Sequence, residues 1–299
     1  MPERVLTRQE LNRALLARQL LLERADLPPT QALQQVGGLQ AQYAPSAYIG
    51  LWSRLEGFER EQLTEALERR QSVQGTLMRV TIHMVSAGDY PLLAAGVRRG
   101  RREWWLRTHR RRLGDVDMED VASRVRSFLG NGPRHRQELV ELLRPFDPSG
   151  GSMLLGGAGL WVDLLRVPPS GTWEKRRADL YALAETWLGT SEATTEDGLS
   201  HLVLRYLGGF GPAPLSDIAD WAGLPVTMVR PALDGLKMRR FRDEEGAELL
   251  DLPGAPLSPA DTPAPVRFLP TWDATLLVHA RRTAILPEEY RSLVFNPKT

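Results

Sequence analysis

The chain contains no cysteine, and this absence rules out disulfides, thiolate nucleophiles, iron–sulfur clusters and every zinc site with a Cys ligand. Its five histidines, His83, His109, His135, His201 and His279, are scattered without metal-ligand spacing, so no metal or other cofactor is implied. Long apolar runs are missing as well. Nothing approaches the roughly 18 residues of a membrane span or the core of a signal peptide, and Met1-Pro2-Glu3-Arg4 opens directly into a charged amphipathic segment. A reducing cytoplasm and no membrane association are expected. Net charge is also slight: Lys+Arg 38 against Asp+Glu 37 leaves a formal +1, so any affinity for nucleic acid has to come from local clustering of basic residues. There is no Gly-x-x-x-x-Gly-Lys-Ser/Thr, His-Glu-x-x-His or Gly-x-Ser-x-Gly motif. Gly156-Gly157-Ala158-Gly159 lies in an apolar helical segment and reads as close packing, not a dinucleotide loop.

What is present suits a globular protein. With 299 residues, 42% hydrophobic and 25% charged, the chain has material for a sizeable core in about two domains or a few small ones. An internal repeat organises its middle. One copy runs from Val121 through a Gly-Pro break, Gly130-Asn131-Gly132-Pro133, into a second helix ending at Leu143; the other starts near Leu199 and breaks at Gly208-Gly209-Phe210-Gly211-Pro212 before Ser216 to Trp221. Each is followed by a third apolar segment, Met153 to Leu165 or Val226 to Leu236. A strand-like tail then turns at Pro168-Pro169-Ser170-Gly171 or at Asp243-Glu244-Glu245-Gly246. Three helices and a hairpin make a winged helix.

The N-terminal region has the ingredients of a third, divergent unit. Helical patterns cover Arg8 to Leu22, Thr30 to Leu39, Ala47 to Leu55 and Glu61 to Arg69, and a strand pattern covers Leu77 to Val85. After a proline-rich linker from Leu252 to Val266, Arg267-Phe268-Leu269-Pro270 and Leu276-Leu277-Val278-His279 read as strands of a small closing β unit. The expected fold is therefore mainly α with small β elements (α+β): winged-helix units over 1–115, 116–190 and 191–253, then a C-terminal β-barrel-like unit over 254–299. Winged helices more often bind DNA than catalyse, and many only contact proteins, so fold alone does not decide function.

Three clusters could carry chemistry. From Val97 to Arg112 run eight arginines (Arg98, Arg99, Arg101, Arg102, Arg107, Arg110, Arg111, Arg112) against Glu103, a local net of +7 with Trp104 and Trp105 interleaved. The strip is either a solvated helix face over two core tryptophans or a surface for DNA phosphates, whose oxygens suit arginine forks. The second cluster is Gly75-Thr76-Leu77-Met78-Arg79-Val80-Thr81-Ile82-His83-Met84-Val85. Strand alternation puts Arg79, Thr81 and His83 on a polar face, open to solvent or lining a cleft, and Val80, Ile82 and Met84 in the core. The third is Gly37-Gly38-Leu39-Gln40-Ala41-Gln42-Tyr43-Ala44-Pro45. The two glycines and Pro45 take this stretch out of helical geometry, so that Gln40 and Gln42 share a face. A carboxamide orients water and points a dipole at developing positive charge, but it is no base at neutral pH. Such a pair hydrolyses only a substrate already activated for departure; a bare Gln-x-Gln is otherwise two polar residues at a helix end.

Taken together, Gly38-Leu39-Gln40-Ala41-Gln42, Gly75-Thr76-Leu77-Met78-Arg79 with Thr81-Ile82-His83, and Phe268-Leu269-Pro270-Thr271-Trp272-Asp273-Ala274-Thr275-Leu276-Leu277 make the chain resemble the bacterial alkylpurine DNA glycosylases of the AlkZ/YcaQ type along nearly its whole length. The resemblance implies tandem winged helices with a small C-terminal β-barrel, and catalysis by a Gln-Φ-Gln or Gln-Φ-Asp motif with Φ apolar, here Gln40 and Gln42 of the AlkZ-like branch. It further implies a monofunctional glycosylase without lyase activity, acting as a monomer on double-stranded DNA with alkylated purines in the nucleoid, for repair or self-resistance. Arg79, Thr81 and His83 would support the site or contact DNA, and Arg98, Arg99, Arg101, Arg102, Arg110, Arg111 and Arg112 would contact DNA. The family's barrel normally continues past the position of Thr299. The contrasting expectation, a non-catalytic winged-helix transcription regulator, would show preference for one undamaged sequence.

Overall fold

Thr7 accepts the Glu10 N–H on its hydroxyl at 3.2 Å while the Glu10 carboxylate accepts the Thr7 N–H at 2.8 Å. This reciprocal cap starts α1 (Arg8–Arg18) straight after the short strand β1 (Val5–Leu6). In the computed structural model, residues 3–147, 151–277 and 285–295 are described. Beyond α1, one order of elements occurs three times. The first set is α2 (Pro29–Gln35), β2 (Leu39–Gln40), α3 (Pro45–Arg54), α4 (Arg60–Glu68) and the hairpin β3 (Ser72–Thr76) and β4 (Ile82–Ser86). The long helix α5 (Tyr90–Leu113) ends at Gly114 and leads to α6 (Met118–Leu129), β5 (Arg134–His135), α7 (Arg136–Leu143), α8 (Ser152–Ala158), β6 (Leu164–Arg166) and β7 (Leu180–Leu183). After α9 (Ala184–Leu188) come α10 (Thr195–Phe210), α11 (Leu215–Ala222), α12 (Val226–Val229), β8 (Arg239–Asp243) and β9 (Glu248–Asp251).

In every set the segment after the first helix pairs antiparallel with the last strand of its hairpin: Gln40 opposite His83, Arg134 opposite Tyr181, and Ala213 bridging to Leu250. The sets do not stay separate. Gln74 pairs with Arg166 and Gly75 with Leu165, so β3 and β6 weld two hairpins into one sheet of order β2-β4-β3-β6-β7-β5, which crosses the boundary expected near residue 115. β1 lies parallel to β8, tying the N-terminus to the third set. Apolar clusters lie behind these sheets, one around Val97, Tyr206, Phe210 and Trp221, another around Trp105, Val125 and Leu139, a third around Leu33, Tyr48 and Leu67. Gly157 packs against the second: a Cβ there would stand 2.5 Å from the Trp105 indole, so this glycine serves packing.

Two expectations are corrected. The strand over Leu77 to Val85 is interrupted by a tight turn, Met78–Val80. Leu77 and Met78 are successive and both fully buried, which strand alternation cannot provide. The chain bends instead, with Val80 N–H on the Leu77 carbonyl, and Val80, expected in the core, is 44% exposed. Towards the C-terminus, Arg267 to Pro270 is irregular and Leu276 and Leu277 belong to the helical turn α13 (Ala274–Leu277); a further turn, α14 (Arg291–Val294), follows. Among the described residues this region has no strand, and Val278 and His279 lie outside them. Pro263, Pro265 and Pro270 have no N–H for a ladder, and backbone groups here serve other partners: the Phe268 carbonyl accepts from the Ser53 hydroxyl.

Candidate active site and nucleic-acid surface

α2 stops at Gln35, and Gly37 (φ 77°) and Gly38 (φ 81°) reverse the chain in left-handed conformations. A Cβ on Gly38 would approach Val85 Cγ1 to 2.8 Å, so the backbone crosses β4 this closely only with glycine there. The crossing sets the register that brings Gln40 beside His83. Ala41 N–H donates to the Ile82 carbonyl at 2.8 Å, and the helix α3 resumes at Pro45. The glutamines thus lie outside helical geometry, but with unequal access: Gln40 is 8% exposed whereas Gln42 is open to solvent.

Both carboxamides are fastened to the same short stretch of chain. Gln40 Oε1 accepts from Arg79 Nη2 at 3.1 Å, and Gln42 Oε1 accepts the Ile82 N–H at 3.3 Å. Arg79 reaches Gln40 because it adopts a left-handed backbone (φ 50°, ψ 25°), followed by Val80 at φ 59°. Two such non-glycine residues carry about 1–2 kcal/mol of strain each. The turn is held by the other arm of the guanidinium, Nη1, which donates to the Trp221 carbonyl of α11 at 2.8 Å. Burial lowers the Arg79 pKa from its ordinary value.

His83 is 2% exposed, and its Nδ1 donates to the Thr81 carbonyl at 3.0 Å. Burial first, and then the positive charge of Arg79, pull its pKa down to about 3, so the ring is neutral near pH 7. Thr81 Oγ1 donates to the Met78 carbonyl at 3.0 Å, bracing the turn. Arg79, Thr81 and His83 therefore gather around Gln40 through a turn and a register, not through one strand face. Among the described residues neither glutamine has a carboxylate partner, and no group of three His, Asp or Glu is placed to hold a metal. The pair can orient a water and present carbonyl dipoles; His83 at its depressed pKa is a poor proton donor.

The basic strip divides along α5. In its first half Arg98 pairs with Asp163 at 2.6 Å, Arg101 Nη1 donates to the Thr76 carbonyl at 2.7 Å, and Arg102 Nε donates to the Leu160 carbonyl at 2.6 Å while lying over the Trp161 ring. Arg99 pairs with Glu103 on the surface at 3.1 Å, and Arg112 reaches Asp147 at 3.5 Å. Arg107, Arg110 and Arg111 are exposed, while Trp105 is buried and stacked on His109. The arginines of the strip thus do not share one exposed face. Sequence reasoning misses Arg136 and Arg166: Arg166 stands alone in its segment, and only the pairing of β3 with β6 brings its Nη1 within 2.9 Å of Thr76 Oγ1.

A family model described as DNA glycosylase AlkZ-like matches residues 33–299, which takes in the glutamine pair, the Arg79 turn and the Asp273 segment. The chain belongs to the AlkZ-like DNA glycosylase family. The solved structure of Streptomyces sahachiroi DNA glycosylase AlkZ shares the fold, with a TM-score of 0.80 at 18% identity over 97% of this chain and 82% of that one. A comparison with curated proteins finds no match. Membership of the AlkZ-like family makes the chain a DNA glycosylase with DNA as its substrate, and among its described residues no helix is long and apolar enough to cross a membrane.

Proposed function

We propose that the chain is a monofunctional glycosylase that hydrolyses the N-glycosidic bond of cationic alkylated purines in double-stranded DNA: N7-alkylguanine, N3- or N7-alkyladenine, and bulky or crosslinked adducts, in repair or self-resistance. The observation that carries this reading is the pair Gln40 and Gln42 fastened around Arg79 to His83, with a neutral buried imidazole and no carboxylate on either amide. A site without a ready acid needs a leaving group that departs unprotonated, and a purine alkylated on a ring nitrogen is already positive. The C1′–N bond breaks with both electrons going to the base, which leaves neutral. Water adds its oxygen to the cationic C1′ and gives its proton to solvent. Gln42, open to solvent, positions that water. Gln40, with one arm of Arg79 on its oxygen, supports the water or the sugar. The products are the free base and an abasic site; no lysine accompanies the motif to form an imine, so no strand cleavage follows. The exposure of Gln42 suits bulky adducts that an enclosed flipping pocket would exclude. Arg110 and Arg111 are proposed DNA contacts, and the enzyme acts as a monomer.

The deciding experiment is release of 7-methylguanine from methylated duplex DNA by the wild type, Gln42→Ala and Gln40→Ala, with abasic sites scored by alkaline cleavage. Release by the wild type, lost in Gln42→Ala with DNA binding retained, supports the assignment. Wild-type inactivity on methylated and toxin-alkylated duplexes, with tight binding to one undamaged sequence, would sink it.

A further inference from the structure

A cavity of about 260 Å³ lies between α5, the end of β3, α8 and β6, with Val80 of the Met78–Val80 turn in its lining. Its walls hold four arginines, Arg98, Arg101, Arg136 and Arg166, against a single carboxylate, Asp163. Asp163 is engaged by Arg98 at 2.6 Å, so three guanidiniums face the space without a counter-charge of their own in its lining. Arg101 is only 6% exposed and spends Nη1 on the Thr76 carbonyl; Arg166 spends Nη1 on Thr76 Oγ1 and lies over the Tyr181 ring. The buried Nε–H groups of both find no acceptor among the described residues. Burying cations and leaving their donors unmatched is costly unless an anion completes them. Arginine forks match the oxygens of a phosphate with two parallel N–H···O bonds.

We propose that this cavity is a phosphate pocket, and that its ligand is a backbone phosphate of the lesion-bearing DNA strand. This rests on the glycosylase assignment above for its choice of DNA over free phosphate. The position argues for the strand. Thr76, two residues before the turn that delivers Arg79 to Gln40, and Val80, its last residue, line the cavity, so a phosphate held there fixes the strand next to the reacting sugar. Arg136 is half-buried in the lining, and its bond to Ser152 Oγ at 3.2 Å lies exposed, where a strand can reach it from solvent. The contact is sequence-independent, as a repair enzyme requires.

The test measures binding to methylated and unmodified duplexes over a range of salt for the wild type, Arg166→Gln and Arg136→Gln, with thermal melts in inorganic phosphate beside them. Each variant is expected to weaken binding about tenfold on both duplexes and to lower the slope of log Kd against log salt by about 1. Wild-type affinity and slope in both variants would overturn the proposal. Should Arg166→Gln fail to fold, Arg136→Gln, at a half-buried position, decides alone. Stabilisation of the wild type by inorganic phosphate that Arg166→Gln abolishes, with the DNA slope unchanged, would overturn the backbone assignment in favour of a free phosphate ligand. Binding needs no base release. An inactive wild type with the slope change intact would sink the substrate assignment and leave the pocket standing, and base release with an unchanged slope would do the reverse.

Discussion

His83 gives the site its sharpest titration behaviour. Its pKa of about 3 in the folded protein lies below the roughly 6.5 of a free histidine, so between these values the unfolded chain binds the extra proton. Stability should therefore fall as pH drops from about 6.5 to about 3, by about 1.4 kcal/mol per unit from this group, and be unaffected by it above that window. Denaturant unfolding at pH 7 and pH 5 checks this: the wild type should lose about 2 kcal/mol more than His83→Asn over that interval. For the same reason base release should show no inflection from His83 between pH 6 and 8. Arg79 makes a second prediction. Its fork joins the Trp221 carbonyl to Gln40 Oε1, and a lysine cannot supply two diverging arms. Both Arg79→Ala and Arg79→Lys should lower kcat about tenfold or more with little change in DNA affinity, measured by single-turnover base release.

Among the elements, β2 is the most exacting, since two residues carry the register that sets Gln40 opposite His83. That register depends on Gly38 passing within contact of β4. Gly38→Ala puts a methyl against Val85 and demands a left-handed alanine, so it should cost about 1–3 kcal/mol and reduce base release more than it reduces stability near room temperature. Chemical denaturation and kinetics on the same preparation separate the two. The long helix α5 shows how one element serves two purposes. Its Arg101 and Trp105 face inward and Arg110 and Arg111 outward, so a charge run that reads as one surface in sequence is split by the helical period.

Across the whole molecule, distant segments are tied by buried bidentate ion pairs. Arg18 meets Asp251 at 2.6 and 2.9 Å, linking α1 to β9. Arg54, on the helix after the glutamine pair, meets Asp273 with both bonds at 3.0 Å and also donates to Gln19 Oε1 at 3.1 Å. Burial alone would raise the Asp273 pKa, but the Arg54 guanidinium outweighs it and holds the carboxyl below its ordinary value. Asp273→Ala would leave the Arg54 cation buried and unpaired. It should destabilise the fold by about 3–5 kcal/mol, whereas Arg60→Ala, removing an exposed pair with Glu61, should change it by less than about 1 kcal/mol; thermal melts of the two variants give the contrast.

The glutamine pair, the break from helix around it, the repeated helix-and-hairpin order and the excess of arginine on α5 are all readable along the chain. They depend on neighbours within a few residues: left-handed glycines, a proline at a helix start, caps and periodicity. Other features needed the folded chain. Strand alternation cannot show that Leu77 and Met78 are both buried, and so cannot foresee the turn that swings Arg79 onto Gln40. Arg166, isolated in sequence, comes to Thr76 because β6 adds to β3 at one register among several. Asp273 stands in a recognisable motif, yet its partner Arg54 lies 219 residues away. Such pairings are selected by the energy of the whole packed arrangement, which no short stretch of sequence contains.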